Sequence, residues 1–408
     1  MTAVVFTAGQ IVSASSLNAV AQAADEASTA AAGMADSATA AALSAQHALD
    51  QATLATAAAA NTTSFATASG VNAANSATSM VAAQAAATTA GAAAASASGF
   101  NVGRNKLHNP YFNIQQHPSG PWTAAGYSRD RWLIQSVHST GTLSVSGVAL
   151  LDADRAQIGD ETALFSISYT FNGGAGAGDY DILSQRMETV NRFSAKTVTV
   201  SFWAKAASGA PKVGVELIQV FGSGGTPSLP VTPAGSSVTL STAWVRYSIT
   251  LSLPSVAGKT LGTTLNSEYT DCQLWLSGGS SLSARSGNIG VQAGTVSFWG
   301  MQLEFGSVMT PLEYIEPKDD LERCQRFYQV GSWEIGGYST NGITNIYNMI
   351  YSVQMRQVPT LGYTAPTLIN VSAASPTNLT PSQMSIVAIA GALGGYLAAG
   401  AYTLNADL

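Results

Sequence analysis

Thr197-Val198-Thr199-Val200-Ser201-Phe202-Trp203-Ala204 sets polar against apolar residues at every second position. Side chains of an extended chain point alternately to opposite faces, so this pattern reads as a strand with one buried face. The same period recurs in Val213-Gly214-Val215-Glu216-Leu217-Ile218, in Trp244 to Leu251, in Cys272-Gln273-Leu274-Trp275-Leu276 and in Thr295 to Leu303. Residues 131–138, 142–150 and 163–171 are further candidates. Glycine and serine clusters separate them, among them Gly173-Gly174-Ala175-Gly176-Ala177-Gly178 and Gly222-Ser223-Gly224-Gly225. Many short strands with no helix between them predict an all-β sandwich, and a jelly roll is the natural architecture.

Upstream the composition changes completely. Residues 21–98 hold 36 alanines in 78 positions, and no proline precedes Pro110. Alanine is the strongest helix former, and nothing here breaks a helix. A single alanine-rich helix is marginal in water, so the segment predicts a stalk of several chains wound together. Leu43, Leu54 and Phe65 repeat every eleven residues, the spacing of a straight or right-handed coil. A loosely structured stalk is the other reading.

Charge divides the chain in the same places. The 408 residues carry 17 bases, 23 acids and a net charge of −6. No Lys or Arg precedes Arg104, while four acids do. Residues 104–323 hold 15 bases and 17 acids, and the remainder holds only Arg326, Glu334, Arg356 and Asp407. No part is basic, which excludes nucleic acid and an anionic membrane surface as partners. Val4-Val5-Phe6 is too short and has no basic flank for a secretory signal. Cys272 and Cys324 are too few for a disulfide framework or a four-sulfur metal site.

Asp319 to Tyr328 predicts a linker helix with Leu321, Cys324 and Phe327/Tyr328 on one face. Asp319–Arg323 and Glu322–Arg326 are its i, i+4 ion pairs. Beyond it, Asn341-Gly342 predicts a two-residue hairpin turn between Trp333–Tyr338 and Thr344–Gln354. Met384 to Tyr402 has no charge and is long enough to cross a membrane, but its Gly-Ala-Leu-Gly-Gly break suits two strands and a turn. The low charge of this β-rich tip suits contacts between chains.

Several motifs, in order, resemble bacteriophage tail fibres and their receptor-binding modules. They are Asn105-x-Leu107-x-Asn109-Pro110-x-Phe112, Asp130-Arg131-Trp132, Val200 to Lys205, Trp244-x-x-Tyr247 and Leu253-Pro254-x-x-x-Gly258-Lys259-Thr260-Leu261-Gly262. Phe298-Trp299-Gly300-Met301-Gln302-Leu303-Glu304-x-Gly306, Thr310-Pro311 and Glu313 close the set, and the resemblance covers roughly residues 101–328. Acidic-x-Cys324-Gln325-Arg326, Met355-Arg356-x-x-Pro359-Thr360 and Asn405 to Leu408 extend it. At the other end Phe6, Gly9, Gln10, Leu17 and Asn18 resemble the segment that joins such a fibre to the virion. The modules are similar to jelly-roll carbohydrate-binding modules. The resemblance implies a homotrimer assembled in the host cytoplasm and carried on the virion. Its N-terminus would hold phage tail or head-neck proteins, and its β domains a bacterial surface polysaccharide, with no membrane insertion. On this reading the chain divides into a 1–20 attachment segment, a 21–99 helical stalk, a 100–317 sandwich and a 318–408 linker helix and tip.

Catalytic motifs are poor. There is no Gly-x-Ser-x-Gly or His-Glu-x-x-His, and Gly258-Lys259-Thr260 lacks the upstream glycine of a phosphate loop. His47, His108, His117 and His138 are not at metal-ligand spacing. The acidic pairs around Asp152/Asp154, Asp160/Glu161 and Asp179/Asp181 admit a structural calcium ion, but read first as turn residues. Sugar rings pack on aromatic faces with polar groups beside them. That points to Trp122, Tyr127, Tyr180 and Arg186 in the sandwich, or to Trp333, Tyr338, Tyr347, Tyr351 and Arg356 in the tip. Trp132, Trp203, Trp244, Trp275 and Trp299 lie within strand patterns and read as core. The function expected is adhesion to a glycan without chemistry. A purely structural fibre, whisker or head decoration is the alternative, and a glycan-degrading spike a third.

Overall fold

The computed structural model describes residues 14–59, 79–80 and 103–408. Phe6, Gly9, Gln10 and Phe65 lie outside the described residues. The chain forms two compact units, Met1–Ala94 and Ala95–Leu408.

In the first unit, helix α1 spans Ala14–Ala59, as the alanine content requires. Leu17 and Asn18 stand near its start. Met34, Leu43 and Leu54 are all more than 60 % exposed. Several Ser and Thr hydroxyls fold back onto carbonyls one turn earlier, such as Thr29 onto Asp25 at 2.8 Å and Ser44 onto Ala40 at 2.9 Å. These side chains therefore stay on the helix instead of reaching outward. A coiled coil is not part of the described structure.

The second unit is mostly antiparallel β-sandwich. Its larger part is built from β1 (Gly126–Tyr127), β2 (Leu133–Val137), β3 (Thr142–Ala149), β4 (Phe165–Asn172) and β5 (Tyr180–Glu188). These are followed by β6 (Thr197–Ala206), β7 (Lys212–Val220), β8 (Ser236–Thr239), β9 (Val245–Ser252), β10 (Tyr269–Gly278) and β11 (Ala293–Phe305). They form a six-stranded sheet, β1-β2-β5-β10-β7-β8, and a five-stranded sheet, β3-β4-β11-β6-β9. The chain crosses repeatedly between sheets in a jelly-roll-like manner. Alternate residues of each strand meet between the sheets, including Ile134, Leu183, Val198, Val200, Phe202, Val215, Leu274 and Phe298. That is the period-two pattern realised. Gly300 adopts φ +62° at a break in the β11–β6 register, where a Cβ would press on Trp203.

Trp132, Trp244, Trp275 and Trp299 are buried and Trp203 half-buried. Only Trp132 belongs to the core between the sheets. Trp244 and Trp299 form a second cluster with Tyr111, Leu150 and Ile158, beneath helix α2 (Asp152–Ile158).

Helix α3 (Pro317–Gln325) leads into the smaller part. Cys324 is buried and Leu321 half-buried on the helix, which ends at Gln325, short of the expected Tyr328; Phe327 and Tyr328 are buried too, but beyond the helix. Neither expected ion pair, Asp319–Arg323 or Glu322–Arg326, forms. Lys318 Nζ reaches Glu322 at 3.6 Å, while Arg326 turns to Glu188 at 2.8 and 3.0 Å.

The tip comprises β12 (Tyr328–Ser339), β13 (Thr344–Ile350), β14 (Thr360–Tyr363), β15 (Thr367–Ile369), β16 (Val371–Thr377), β17 (Gln383–Ala390) and β18 (Gly394–Asn405). One sheet runs β12-β18-β14 with β15 also on β18, and the other runs β13-β17-β16. This corrects the hairpin expectation. A turn does occur at Asn341-Gly342, but only Gly342 has positive φ, and the strands it joins go to different sheets. The two strands within Met384 to Tyr402 likewise separate, β17 into one sheet and β18 into the other. A turn signal shows where the chain reverses, and the apolar faces of the strands decide which partners they take. Among the described residues no helix is long and apolar enough to cross a membrane.

Candidate functional site

Once the inward residues of the six-stranded sheet are committed to the core, the register fixes its outward face. On β5 that face carries Tyr180, Ile182, Ser184 and Arg186, and on β10 Tyr269, Asp271, Gln273 and Trp275. Gln135 of β2 stands opposite Ile182, and Glu216 of β7 opposite Gln273. Polar side chains run across the middle. Gln135 Nε2 donates to Ser184 Oγ at 2.7 Å and to Asp271 Oδ2 at 2.9 Å, and Gln273 Nε2 donates to the same carboxylate oxygen at 2.8 Å. Ser184, Asp271, Gln273 and Glu216 form a buried floor, with half-exposed Gln135, Tyr180, Arg186 and Tyr269 around it.

Two acceptors on this floor, Asp271 Oδ1 and Gln273 Oε1, have no protein partner. Both are buried, and leaving such a group unpaired costs about 1–3 kcal/mol. At one end Tyr180 and Trp275 meet at 6.0 Å between ring centroids. Arg285 Nε donates to both Glu216 oxygens there, at 2.9 and 3.2 Å, and its guanidinium lies 5.2 Å from the Trp275 ring. Burial pushes the Glu216 carboxyl above its usual range, against the pull of Arg285. At the other end the Arg186 guanidinium lies 4.9 Å from the Tyr269 ring. Tyr180 and Arg186 are six residues apart on one strand face, about 20 Å.

The nine glycan-binding candidates fall into three groups. Tyr180 and Arg186 share this face. Arg186 is also drawn to the tip, since its Nη1 and the Tyr127 hydroxyl both donate to the Leu408 carbonyl oxygen, at 2.6 and 2.8 Å. Trp122 stands apart, half-buried against the core, bridged to Val145 and donating its indole N–H to Pro118 O at 3.0 Å. In the tip, Trp333 and Tyr351 are buried in the core, and Tyr347 packs against that core with its hydroxyl on Tyr396. Tyr338 is 76 % exposed and alone of the tip candidates faces outward. Arg356 is internal, with Nη1 donating to Ala406 O at 3.0 Å and Nη2 to Asn266 O.

Sequence reasoning missed Gln135, Ser184, Asp271, Gln273 and Tyr269. The signal was present, because Asp271 and Gln273 are polar residues at the outward phase of a strand whose inward phase carries Cys272, Leu274 and Leu276.

A second polar cluster has the residue types of a hydrolase triad without its geometry. His138 uses one nitrogen, Nε2, for both Ser136 Oγ at 3.2 Å and Asp181 Oδ2 at 2.8 Å, while Ser136 Oγ donates to Asp181 Oδ1 at 3.1 Å. A triad needs the acid and the nucleophile on opposite nitrogens. The acidic clusters are engaged internally as well. Asp154 accepts from Lys205 Nζ at 2.6 Å and Trp244 Nε1 at 2.8 Å, Asp160 from Thr162 N at 2.8 Å, and Asp179 from Ser139 N at 2.9 Å and Oγ at 2.6 Å. Among the described residues no group of three or more His, Cys, Asp or Glu could hold a metal ion.

The tip is joined to the sandwich by a buried polar seam. His117 Nδ1 meets Asp130 at 3.2 Å and its Nε2 meets Asp407 at 3.0 Å. Arg131 Nη1 lies 3.5 Å from Asp407, and the His117 ring stacks on Tyr328 at 3.7 Å. Burial alone would favour neutral His117, but the hydrogen bonds and charges of Asp130 and Asp407 outweigh it and raise its pKa to about 9.

Fold and site together define a β-sandwich protein with an α-helical N-terminal segment and a polar, aromatic-edged sheet face. No protein-family model matches the sequence, and no curated protein matches it. Among solved structures the chain is similar to a CBM4 structure (15 % identity, TM-score 0.28, 49 % of this chain and 99 % of that one). It is also similar to the family 11 carbohydrate-binding module from Clostridium thermocellum in complex with a β-1,3-1,4-mixed-linked tetrasaccharide (11 %, 0.27, 45 % and 91 %). A third is the enzymatically active domain of bacteriophage CBA120 tailspike protein 4 (9 %, 0.28, 50 % and 22 %). At such identities and TM-scores these likenesses say nothing of ligand or activity.

Proposed function

We propose that the protein binds a bacterial surface glycan, without catalysis, on the outward face of the six-stranded sheet. The observation that carries this is the pair of unpartnered acceptors, Asp271 Oδ1 and Gln273 Oε1, on a floor edged by half-exposed Tyr180 and Tyr269. Sugar hydroxyls are donors of the right kind, and the half-exposed Tyr180 and Tyr269 rings offer apolar surface for the sugar rings. The wider setting is a homotrimeric phage fibre carried on the virion by its N-terminus. That part of the proposal rests on the ordered motif set of the sequence and on the exposed alanine helix.

A glycan array probed with the full chain tests the binding. Capture of at least one bacterial surface polysaccharide is expected, with at least tenfold weaker capture by Gln273→Ala. Silence across the array, or a Gln273→Ala variant that binds as tightly as the parent, would overturn the assignment.

One observation favours the structural alternative. Tyr127, Arg186 and Arg356 are drawn into contacts that tie the tip to the sandwich, as a rigid spacer would require. Unchanged polysaccharide length after incubation separates both readings from a glycan-degrading spike.

A further inference from the structure

The outward face of the tip's three-stranded sheet is the reverse of the site above: aliphatic at its centre and free of charge. On β13 alternate residues Thr344, Ile346, Asn348 and Ile350 point away from the core, with Ile346 62 % and Ile350 77 % exposed. Their partners on β17 are Ile389, Val387, Ser385 and Gln383. Ala373 and Ser375 of β16 continue the face beyond Ile389 and Val387. Ile346, Ile350, Val387, Ile389 and Ala373 thus form one aliphatic surface with small polar residues among them. β13 pairs on one side only, with β17, so its other edge presents unpaired backbone donors and acceptors.

We propose that this face is a contact between copies of the chain. Three features select a second copy as the occupant. The face has no aromatic ring on which a sugar would stack. It has no charge to steer an ionic partner, since residues 335–355 and 357–406 contain no Asp, Glu, Lys or Arg. The chain carries a net charge of −6, so two copies approach at least cost through surfaces that carry none. The free β13 edge adds a row of groups that another β surface can meet.

The size of the face sets the strength of the contact. Three strands about 4.8 Å apart and seven residues at about 3.4 Å each give roughly 340 Å². A standard interface covers about 800 Å² on each partner. The face alone therefore supports weak association, which becomes strong when copies are already held together elsewhere and meet at high effective concentration. The occupant rests on the multi-chain reading proposed above, and not on the glycan reading.

The test is cysteine cross-linking in the full chain. The native thiols, Cys272 and Cys324, are buried, so an introduced surface thiol reacts alone. Ile346→Cys, with Ile350→Cys as a second position, is treated with a short bis-maleimide beside Thr367→Cys on the other sheet. Covalent dimers or larger species are expected for the β13 variants and not for Thr367→Cys, together with about tenfold slower labelling by a monovalent maleimide. Absence of cross-links at both β13 positions with labelling as fast as at 367, or equal cross-linking at all three, overturns the proposal. Glycan capture by the same samples is read in parallel. Capture without cross-links removes this interface alone, and cross-links without capture remove only the glycan reading.

Discussion

The seam between sandwich and tip should release as His117 loses its proton. The imidazole is 7 % exposed and lies between two carboxylates, Asp130 and Asp407, with Arg131 beside the second. Its pKa is about 9, against about 6.5 for an unfolded chain. Folding therefore binds this proton more tightly. The stability it adds is fully present below pH 6.5 and is lost as pH rises through 9. A difference of about 2.5 pH units corresponds to about 3 kcal/mol. The low pKa of Asp130 reflects the same interaction from the acid's side and is not added again. Urea unfolding of the full chain, followed by tryptophan fluorescence from pH 6 to 10, measures the loss. His117→Gln keeps hydrogen-bonding capacity but cannot carry the charge. The parent should exceed it by about 3 kcal/mol at pH 6 and converge on it near pH 10, while titrations common to both cancel. A stability gap that stays constant across this range would falsify the assignment of a charged His117 to the seam.

Two further substitutions test neighbouring parts of the argument. Asp320 lies on the buried side of α3, and burial raises its pKa to about 6 despite the hydrogen bond from Asn109 N at 2.8 Å. Ionised Asp320 is thus a cost to folding that grows as pH rises from about 4 to 6, so Asp320→Asn should stabilise the protein at pH 7.5 by no more than about 3 kcal/mol. Equal urea midpoints for Asp320→Asn and parent at pH 7.5 would count against this. Gly300→Ala should lower the melting temperature at a cost of about 1–2 kcal/mol, because φ +62° is strained for alanine and its Cβ would lie 2.8 Å from Trp203 Cδ1. An unchanged melting temperature would show that the β11 break relaxes freely.

The strands of the sandwich were legible because a period of two is a local property of the sequence. Thr197–Ala204 announces β6 without reference to any other segment. Pairing is not local, which is why Asn341-Gly342 signalled a turn correctly and a hairpin wrongly. The site was half legible. Tyr180 and Arg186 stand out in the sequence as an aromatic and a cation near a glycine loop. Asp271 and Gln273 stand out less, because Cys272, Leu274 and Leu276 dominate the pattern of their strand. Tyr127 and Arg356 carried the residue types of a binding surface, but their partners, Leu408, Ala406 and Asn266, are remote in sequence. Only the closure of the tip onto the sandwich spends them.

The placement of charge in the tip has a physical logic. Residues 324–408 contain four ionisable carboxylates and guanidinium groups: Arg326, Glu334, Arg356 and Asp407. Three of them face the sandwich. Arg326 and Arg356 converge on Glu188, and Asp407 meets His117 and Arg131. A buried or half-buried ion pair gains little over an apolar contact of the same size, but breaking one is expensive, so such pairs fix one docking geometry above others. Charge is concentrated where the tip must sit in a single orientation on its own sandwich. Its absence from the β13 face leaves that surface free of any desolvation penalty for ions, the condition under which an aliphatic sheet face can be covered by another chain. The thin charge of the sequence thus separates a seam within one chain from a surface suited to contact between chains.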